Sequence, residues 1–235
     1  MIQLSEGKLP FIELESVNQR YTLGGYTIDA LNNINLSIFK EEFIMVMGPS
    51  GSGKSTLINV MAGLERPAAG TVRINREELS ALSDRELCEL RRHKLGFVFQ
   101  FFNLHPVLNA LENVELPMLI SGIKRELREP RALELLRLVD LENRKYHQPH
   151  ELSGGEKQRI GIARSLANDP DVILADEPTG DLDSVTGNEI MTLLRSLNQT
   201  YKKTIICVTH DEEMLKGGMR LIKMEDGYII SDSYL

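Results

Sequence analysis

Cysteine is nearly missing from this chain of 235 residues. Cys88 and Cys207 match neither a disulfide framework nor a metal-ligand spacing. Cys207 lies inside the apolar run Thr204-Ile205-Ile206-Cys207-Val208 and reads as a small core residue. Positive charge is also short: 27 Lys and Arg against 34 Asp and Glu leave a net charge of −7. That balance excludes a dedicated nucleic-acid binder, which normally carries a basic stripe. Long apolar runs are absent too. Nothing approaches the roughly 20 residues that span a bilayer. The start, Met1-Ile2-Gln3-Leu4-Ser5-Glu6, carries an acid and lacks the apolar block of a secretory signal. There are no internal repeats and no low-complexity linkers. What remains is ordinary: 42% hydrophobic and 26% charged residues, enough to bury a full core. A soluble, cytosolic protein is expected.

The rest of the chain is organised around Gly48-Pro49-Ser50-Gly51-Ser52-Gly53-Lys54-Ser55-Thr56. The apolar run Phe43-Ile44-Met45-Val46-Met47 before it reads as a buried strand, and Leu57-Ile58-Asn59-Val60-Met61-Ala62 after it as the start of a helix. This spacing is that of a P-loop. Gly48, Gly51 and Gly53 can take backbone angles closed to other residues, so the loop can wrap a phosphate with its N–H groups inward. The positive end of the following helix suits a polyanion. Lys54 can neutralise the β- and γ-phosphates, and the Ser55 hydroxyl can ligate Mg²⁺.

Residues 1–10 read as a loose leader. Phe11 to Val17, the region of Thr27 to Ala30, and Ile34 to Ile38 read as short strands separated by Gly24-Gly25 and Asn32-Asn33. Thr71-Val72-Arg73-Ile74 is a further strand after the turn Pro67-Ala68-Ala69-Gly70. Ser83-Asp84-Arg85-Glu86 fits a capping box opening a helix that runs towards Arg91-Arg92. Leu95-Gly96-Phe97-Val98-Phe99 is a strand running into Gln100. From about Phe101 to His150 the texture becomes helical, around Leu111 to Leu119 and Arg131 to Val139. Val172-Ile173-Leu174-Ala175 and Thr204 to Val208 are continuous and apolar, as expected of parallel strands buried on both faces. A crossover helix from Ser184 to Asn198 lies between them. Arg220 to Met224 and Tyr228 to Ile230, flanking Asp226-Gly227, predict a terminal hairpin. Strands alternating with helices indicate a mainly parallel α/β sheet.

The strand Val172 to Ala175 ends in two carboxylates, Asp176 and Glu177, at the edge where α/β sheets bind ligands. Asp176 can hold Mg²⁺, directly or through water, and Glu177 can accept a proton from an attacking water. Gln100 closes another strand and can reach a metal or that water. His210 ends Ile205 to Thr209 and can hydrogen-bond a γ-phosphate, although a single histidine there is more often structural. Asp181 and Asp183, in Gly180-Asp181-Leu182-Asp183, form by themselves only an acidic turn. Leu152-Ser153-Gly154-Gly155-Glu156, followed by a helical stretch from Lys157 to Asn168, makes a second exposed helix start and so a second anion site. Spacing alone does not say why one chain carries two.

In their order, Gly48 to Thr56, Gln100, Leu152 to Glu156, Val172 to Glu177, Gly180 to Asp183 and His210 resemble an ABC-transporter ATPase subunit. They look like its Walker A, Q-loop, signature, Walker B, D-loop and H-loop, and the match covers about Phe11 to Ile230. The resemblance implies a P-loop NTPase core with a mainly parallel sheet, an antiparallel β subdomain and an inserted helical subdomain. As domains it implies one ABC ATPase domain over 11–235, with helical residues about 101–155. It implies ATP and Mg²⁺ as cofactors, with Ser55, Gln100 and Asp176 on the metal. It implies a head-to-tail homodimer with two ATPs sandwiched, Ser153, Gly154, Gly155 and Glu156 serving the partner subunit's nucleotide, and Asp181 and Asp183 in the D-loop. Tyr21 matches the family's adenine-stacking aromatic, with Tyr26 in reserve; from its place at a strand end alone it reads as core. Hydrolysis would rest on Glu177, His210, Gln100 and Lys54.

Arg91-Arg92, Gly96-Phe97-Val98-Phe99-Gln100, Phe102-Asn103-Leu104, Ala110-Leu111-Glu112-Asn113-Val114 and Ala175-Asp176-Glu177-Pro178-Thr179-Gly180 are similar to a narrower subgroup, the macrolide-export, lipoprotein-releasing and FtsE-like ATPases. Glu156 stands where glutamine is commonest, Glu41 and Arg76 where the subgroup has glycine, and Met219 where it has an acid. The implied partner is a separate membrane permease, docking near Phe101-Phe102-Asn103-Leu104-His105-Pro106 and holding the subunit on the inner face of the cell membrane. Two rival readings are a soluble ABC ATPase of translation or DNA repair and an ATP-binding scaffold of a cell-division complex with low turnover. The first normally brings tandem cassettes, coiled coils or zinc modules, none of which is present in the sequence.

Overall fold

The computed structural model describes residues 9–215 and 217–235. In chain order the elements are β1 (Ile12–Leu23), β2 (Tyr26–Ile38), β3 (Phe43–Met47), α1 (Lys54–Met61), β4 (Ala69–Ile74), β5 (Glu77–Glu78) and α2 (Asp84–Lys94). They continue with β6 (Leu95–Phe99), α3 (Ala110–Ile120), α4 (Arg125–Leu138), α5 (Gly154–Ser165) and β7 (Val172–Asp176). The chain ends with α6 (Ser184–Tyr201), β8 (Thr204–Thr209), β9 (Arg220–Glu225) and β10 (Tyr228–Tyr234). Leu9 and Pro10 of the expected leader are irregular; residues 1–8 of it lie outside the described residues. No helix among the described residues is long and apolar enough to cross a membrane.

Two compact units emerge. One takes in the described residues up to Arg91 together with Thr204–Leu235; the other is Arg92–Lys203. In the first unit β2, β1, β4 and β5 lie side by side in an antiparallel sheet. Where the sequence suggests three short strands, the structure has one long hairpin, β1 and β2. Gly24 and Gly25, at φ 56° and 87°, make its turn, a left-handed pair that fits the twist of the flanking strands. Asn32-Asn33 does not break the chain. Asn33 takes φ 48° within β2, and the register with β1 slips nearby, so the pair is absorbed as an irregularity.

Every residue of β3 is buried, because β8 and β9 both pair with it in parallel. The terminal hairpin of β9 and β10 turns at Asp226 and Gly227, both at positive φ. Arg220, 4% exposed, locks this sheet. Its guanidinium grips Asp232 at 2.8 and 2.7 Å, reaches Glu42 at 3.2 Å, and donates to the Ser37 carbonyl at 2.8 Å. That clasp fixes where β3 begins, and therefore where the loop after it lies.

In the second unit β6 and β7 are parallel partners. Helix α5 lies directly on β6: a Cβ on Gly96 would stand 2.4 Å from the Ser165 carbonyl oxygen. Helices α3 and α4 pack on each other and on α5. The capping box at Asn109 and Glu112 opens α3, and α2 opens with the box expected at Ser83 and Glu86.

Candidate nucleotide-binding and hydrolytic site

In the first unit the glycine-rich loop leaves β3 and enters α1. Gly51 and Gly53 sit at φ 81° and 97°. Gly53 is boxed in as well, since a Cβ there would meet the Ala30 carbonyl oxygen at 2.2 Å. At Gly48 a Cβ would strike the Met224 carbonyl oxygen at 2.1 Å. The loop is further anchored by the Gly227 N–H, which donates to the Ser52 carbonyl at 3.2 Å.

Helix α1 differs from α3, α5 and α6 at its start. Those three carry a side-chain cap, from Asn109, Ser153 and Asp183. Among the described residues no side chain caps α1, and its first turn has no acid. Its N–H groups and dipole are thus left for an external anion, which fits a phosphate. Lys54, 5% exposed, donates to the carbonyls of Gly48 and Pro49, both at 2.8 Å, so its ammonium lies against the loop. Ser52 is buried, while Pro49, Ser50, Gly51 and Ser55 are exposed and Thr56 half-buried.

The register of β3 on β8 pairs Met47 with Thr209, so Gly48 and His210 leave adjacent strand ends. A hollow of about 350 Å³ brings them together, lined by Gly48, Pro49, His210, Glu212 and Lys223 among others. Tyr21 lies beside α1, between Thr56 in its first turn and Glu65 beyond its end. Its hydroxyl donates to the Glu65 carboxylate and lies 3.5 Å from the Thr56 hydroxyl. Burial first, and the neighbouring Glu65 second, hold the Tyr21 pKa above its ordinary value. Asn59 and Gln19 also donate to Glu65, at 2.8 and 3.3 Å. The Tyr21 ring is therefore leashed by its hydroxyl. Tyr26 is 81% exposed at the hairpin end.

In the second unit the register pairs Phe99 with Asp176. Gln100 and Glu177 consequently follow neighbouring strand ends, and both are half-buried, as is Asp176. Glu177 takes φ 46°, a left-handed backbone that a glutamate adopts only when its surroundings enforce it. Gln100 Nε2 is 3.4 Å from Asp181 Oδ1. A Cβ on Gly180 would press on the Gln100 amide at 3.0 Å, so a side chain there would push Gln100 aside by a few tenths of an ångström. Asp183 caps α6: it accepts from Val185 N at 3.1 Å, Thr186 N at 3.0 Å and Thr186 Oγ1 at 2.6 Å. The Thr186 hydroxyl bond is the largest cause holding its carboxyl below the usual range.

Ser153 caps α5. Its hydroxyl accepts from Glu156 N at 3.2 Å, and Glu156 accepts from Ser153 N at 2.8 Å. Arg144 donates to the other Glu156 oxygen at 3.1 Å. The Ser153 N–H first, with help from Arg144, keeps this carboxyl below the usual glutamate range. Gly154 and Gly155 form the first turn, and a Cβ on Gly155 would meet Thr186 Cγ2 at 2.5 Å. In the loop Phe101 to Pro106, Phe101 is 71% exposed. Phe102 and Asn103 are left-handed, at φ 59° and 48°. Arg164 clamps their carbonyls. Fully buried Asn113 binds His105 N and O together with the carbonyls of Leu108 and Asn109.

Several of these side chains escape a reading of the sequence: Glu65, Arg144, Asn113, Arg164 and Gln158. Asn113 folds back on nearby backbone, the others act at longer range, Gln158 on the Phe99 and Pro178 carbonyls, and no local pattern announces any of this. Gln158 gives the strongest signal, as a polar residue two positions before the apolar Ile160-Gly161-Ile162-Ala163.

Comparison with known proteins decides the family. A profile described as "ABC transporter" matches residues 31–180. The chain belongs to the ABC transporter family. It is an ATP-binding cassette and an ATPase. An uncharacterized ABC transporter ATP-binding protein of Thermotoga maritima is 49% identical over 218 residues, 93% of either chain. The cassette MJ0796 of Methanocaldococcus jannaschii, solved as a dimer in a post-hydrolysis state with ADP and Pi, superposes with a TM-score of 0.87. That match is 47% identical and covers 95% of this chain and 98% of the other. The macrolide export ATP-binding/permease protein MacB of Rhodopseudomonas palustris is 45% identical over 94% of this cassette, which spans 34% of that protein. The expected α/β P-loop fold, with its parallel and antiparallel sheets and added helices, is that of these relatives.

Proposed function

We propose that the cassette is the ATP-binding and ATP-hydrolysing subunit that powers a separate membrane permease, and that it works as a head-to-tail homodimer closing on two ATPs. The observation that carries this reading is the uncapped start of α1 behind the glycine loop, joined by a second glycine-rich helix start at Ser153-Gly154-Gly155, which Ser153 and Glu156 cap from within the chain. A single nucleotide has use for one phosphate loop, so the second helix start serves the nucleotide of another copy. The MJ0796 cassette is solved as a dimer, which supports the pairing of two copies. A single ATPase domain over 11–235, with residues about 101–155 as its helical part, remains our reading of the domain plan.

In this proposal the loop from Gly48 to Thr56 holds the phosphates with its N–H groups, and Lys54 turns from its own carbonyls to the β- and γ-phosphates. The Tyr21 ring stacks on the adenine, held edge-on by its bond to Glu65. Glu177 orients and deprotonates the attacking water, which is typically worth about 10²–10⁴-fold in rate. His210, beside Gly48, hydrogen-bonds the γ-phosphate. The oxygen donors of Ser55, Gln100 and Asp176 suit Mg²⁺, which when bound stabilises charge on the γ-phosphoryl group. Asp181, bonded to Gln100, carries the state of the site to the dimer face, with Asp183 holding that turn to α6. Glu156 supports the helix start facing the partner subunit's nucleotide. The permease docks on the exposed Phe101 and its loop, which places the cassette on the inner face of the membrane.

The test is recovery from detergent-solubilised membranes of a tagged cassette carrying wild-type or Phe101→Asp sequence. An integral membrane protein that copurifies with wild type, stimulates its ATPase and is lost with Phe101→Asp supports the reading. A cassette that captures no membrane protein, or captures it equally well with Phe101→Asp, removes the permease or the docking surface respectively.

A further inference from the structure

Gln158 is 0% exposed, in the middle of α5. Both of its bonds are made by the side-chain amide: Nε2 donates to the Phe99 carbonyl at 3.2 Å and to the Pro178 carbonyl at 2.7 Å. Phe99 immediately precedes Gln100, and Pro178 immediately follows Glu177. One –NH₂ group therefore ties together the backbones that carry the water-facing glutamine and the carboxylate. Its Oε1 has no partner among the described residues. An orphaned, fully buried acceptor costs stability, whereas both N–H donors of the same amide are used. Flipping the amide would set its oxygen against two carbonyl oxygens. The position thus demands donors, and the chain accepts an unsatisfied oxygen to have them.

Helix α5 holds this segment at a second point, because Arg164 donates to Phe102 O and Asn103 O. Glu177 depends on such holding, since its left-handed φ of 46° is not a resting state for a glutamate. We propose that Gln158 is a positioning residue for hydrolysis, setting the separation of Gln100 and Glu177 through the carbonyls of Phe99 and Pro178. It touches neither substrate nor water. Because it rides on the helix that begins at Ser153, the contact made there with a partner subunit's nucleotide is bonded rigidly to the chain's own hydrolytic pair. The inference rests on the roles proposed above for Glu177 and Gln100.

Two variants test it. Gln158→Met keeps the volume and removes both donors; a shift of about 1 Å at the reacting groups is worth on the order of 10²-fold. The full-length variant should lose ATP turnover by about that factor while KM for ATP changes by less than about threefold, a split expected of positioning and not of lost binding. Gln158→Glu adds a readout that unfolding would not mimic. Ionised, it repels the two carbonyls; protonated, it donates one O–H, and burial raises the pH at which it protonates. Its turnover relative to wild type should therefore rise as the pH falls from 9 to 6, while that of Gln158→Met stays flat. If Gln158→Met fails to fold, the profile of Gln158→Glu decides. Near-wild-type turnover of Gln158→Met, or a flat relative profile for Gln158→Glu, overturns the proposal provided Glu177→Gln is inactive in parallel. Wild-type hydrolysis by Glu177→Gln would instead remove the site reading, and the inference with it.

Discussion

Gly155→Ala separates packing from nucleotide approach at the start of α5. The added methyl would lie 2.5 Å from Thr186 Cγ2, whereas carbon atoms rest at about 3.5–4.0 Å. Something has to move by about 1 Å. Thr186 cannot simply turn away, because its hydroxyl donates to Asp183 at 2.6 Å. Overpacking of this kind costs about 1–3 kcal/mol, and replacing a helical glycine by alanine returns about 0.5–1 kcal/mol. A net loss of about 1–2 kcal/mol follows from these two terms. Thr186→Ser removes the offending methyl and keeps the oxygen, at about 0.8 kcal/mol for the lost carbon. The double variant should regain near-wild-type stability, with a coupling of about 2–3 kcal/mol in a cycle of four denaturant melts without nucleotide. In the proposed sandwich the first turn of α5 meets the partner subunit's phosphate, and there the double variant's ATPase should stay down by about 10²-fold. Additive melts, or Gly155→Ala as stable as wild type, would refute the packing argument. Full ATPase in the double variant would refute the phosphate argument.

Arg76 sits at φ 70°, where a side chain costs about 1–2 kcal/mol over glycine. Arg76→Gly also loosens the unfolded chain by about 0.4–1 kcal/mol, so thermal melts should rise by about 2 °C; a fall would show that the arginine is held there by something more than the turn. The Glu156 carboxyl is held below the usual glutamate range by the Ser153 N–H, so the stability it adds is present above about pH 4.3 and lost as pH falls through its lower folded value. Melting temperature should therefore drop more between pH 7 and 3.5 in wild type than in Glu156→Gln, and parallel curves would contradict this.

Much of this molecule is legible locally. The buried run Phe43 to Met47, the glycine loop and α1 follow from hydrophobicity and glycine placement, as do β7 with its two terminal acids and the turn at Asp226-Gly227. The β1–β2 hairpin is not. Asn32-Asn33 looks like a turn because asparagine tolerates a left-handed backbone, yet in the fold the tolerance is spent on an irregularity inside one strand. Glu41 and Arg76 are similar: residues foreign to left-handed turns nevertheless adopt φ 69° and 70°, because the strands on either side dictate the chain path. The supporting contacts were hidden for a different reason. Glu65 on Tyr21 and Gln158 on two strand ends join positions tens of residues apart, Asn113 folds back on the loop just before α3, and their partners are mostly carbonyls, which leave no mark in a sequence.

In the proposed dimer one copy's glycine loop is completed by another copy's α5, and Glu177 drives hydrolysis. Size-exclusion chromatography of Glu177→Gln with and without MgATP, alongside a phosphate-release assay, tests it most directly. An ATP-dependent shift from monomer to dimer is expected, with hydrolysis slowed by about 10²–10⁴-fold, and loss of that shift with Gly155→Ala/Thr186→Ser. A variant that remains monomeric with ATP bound, or hydrolyses it at the wild-type rate, would contradict it.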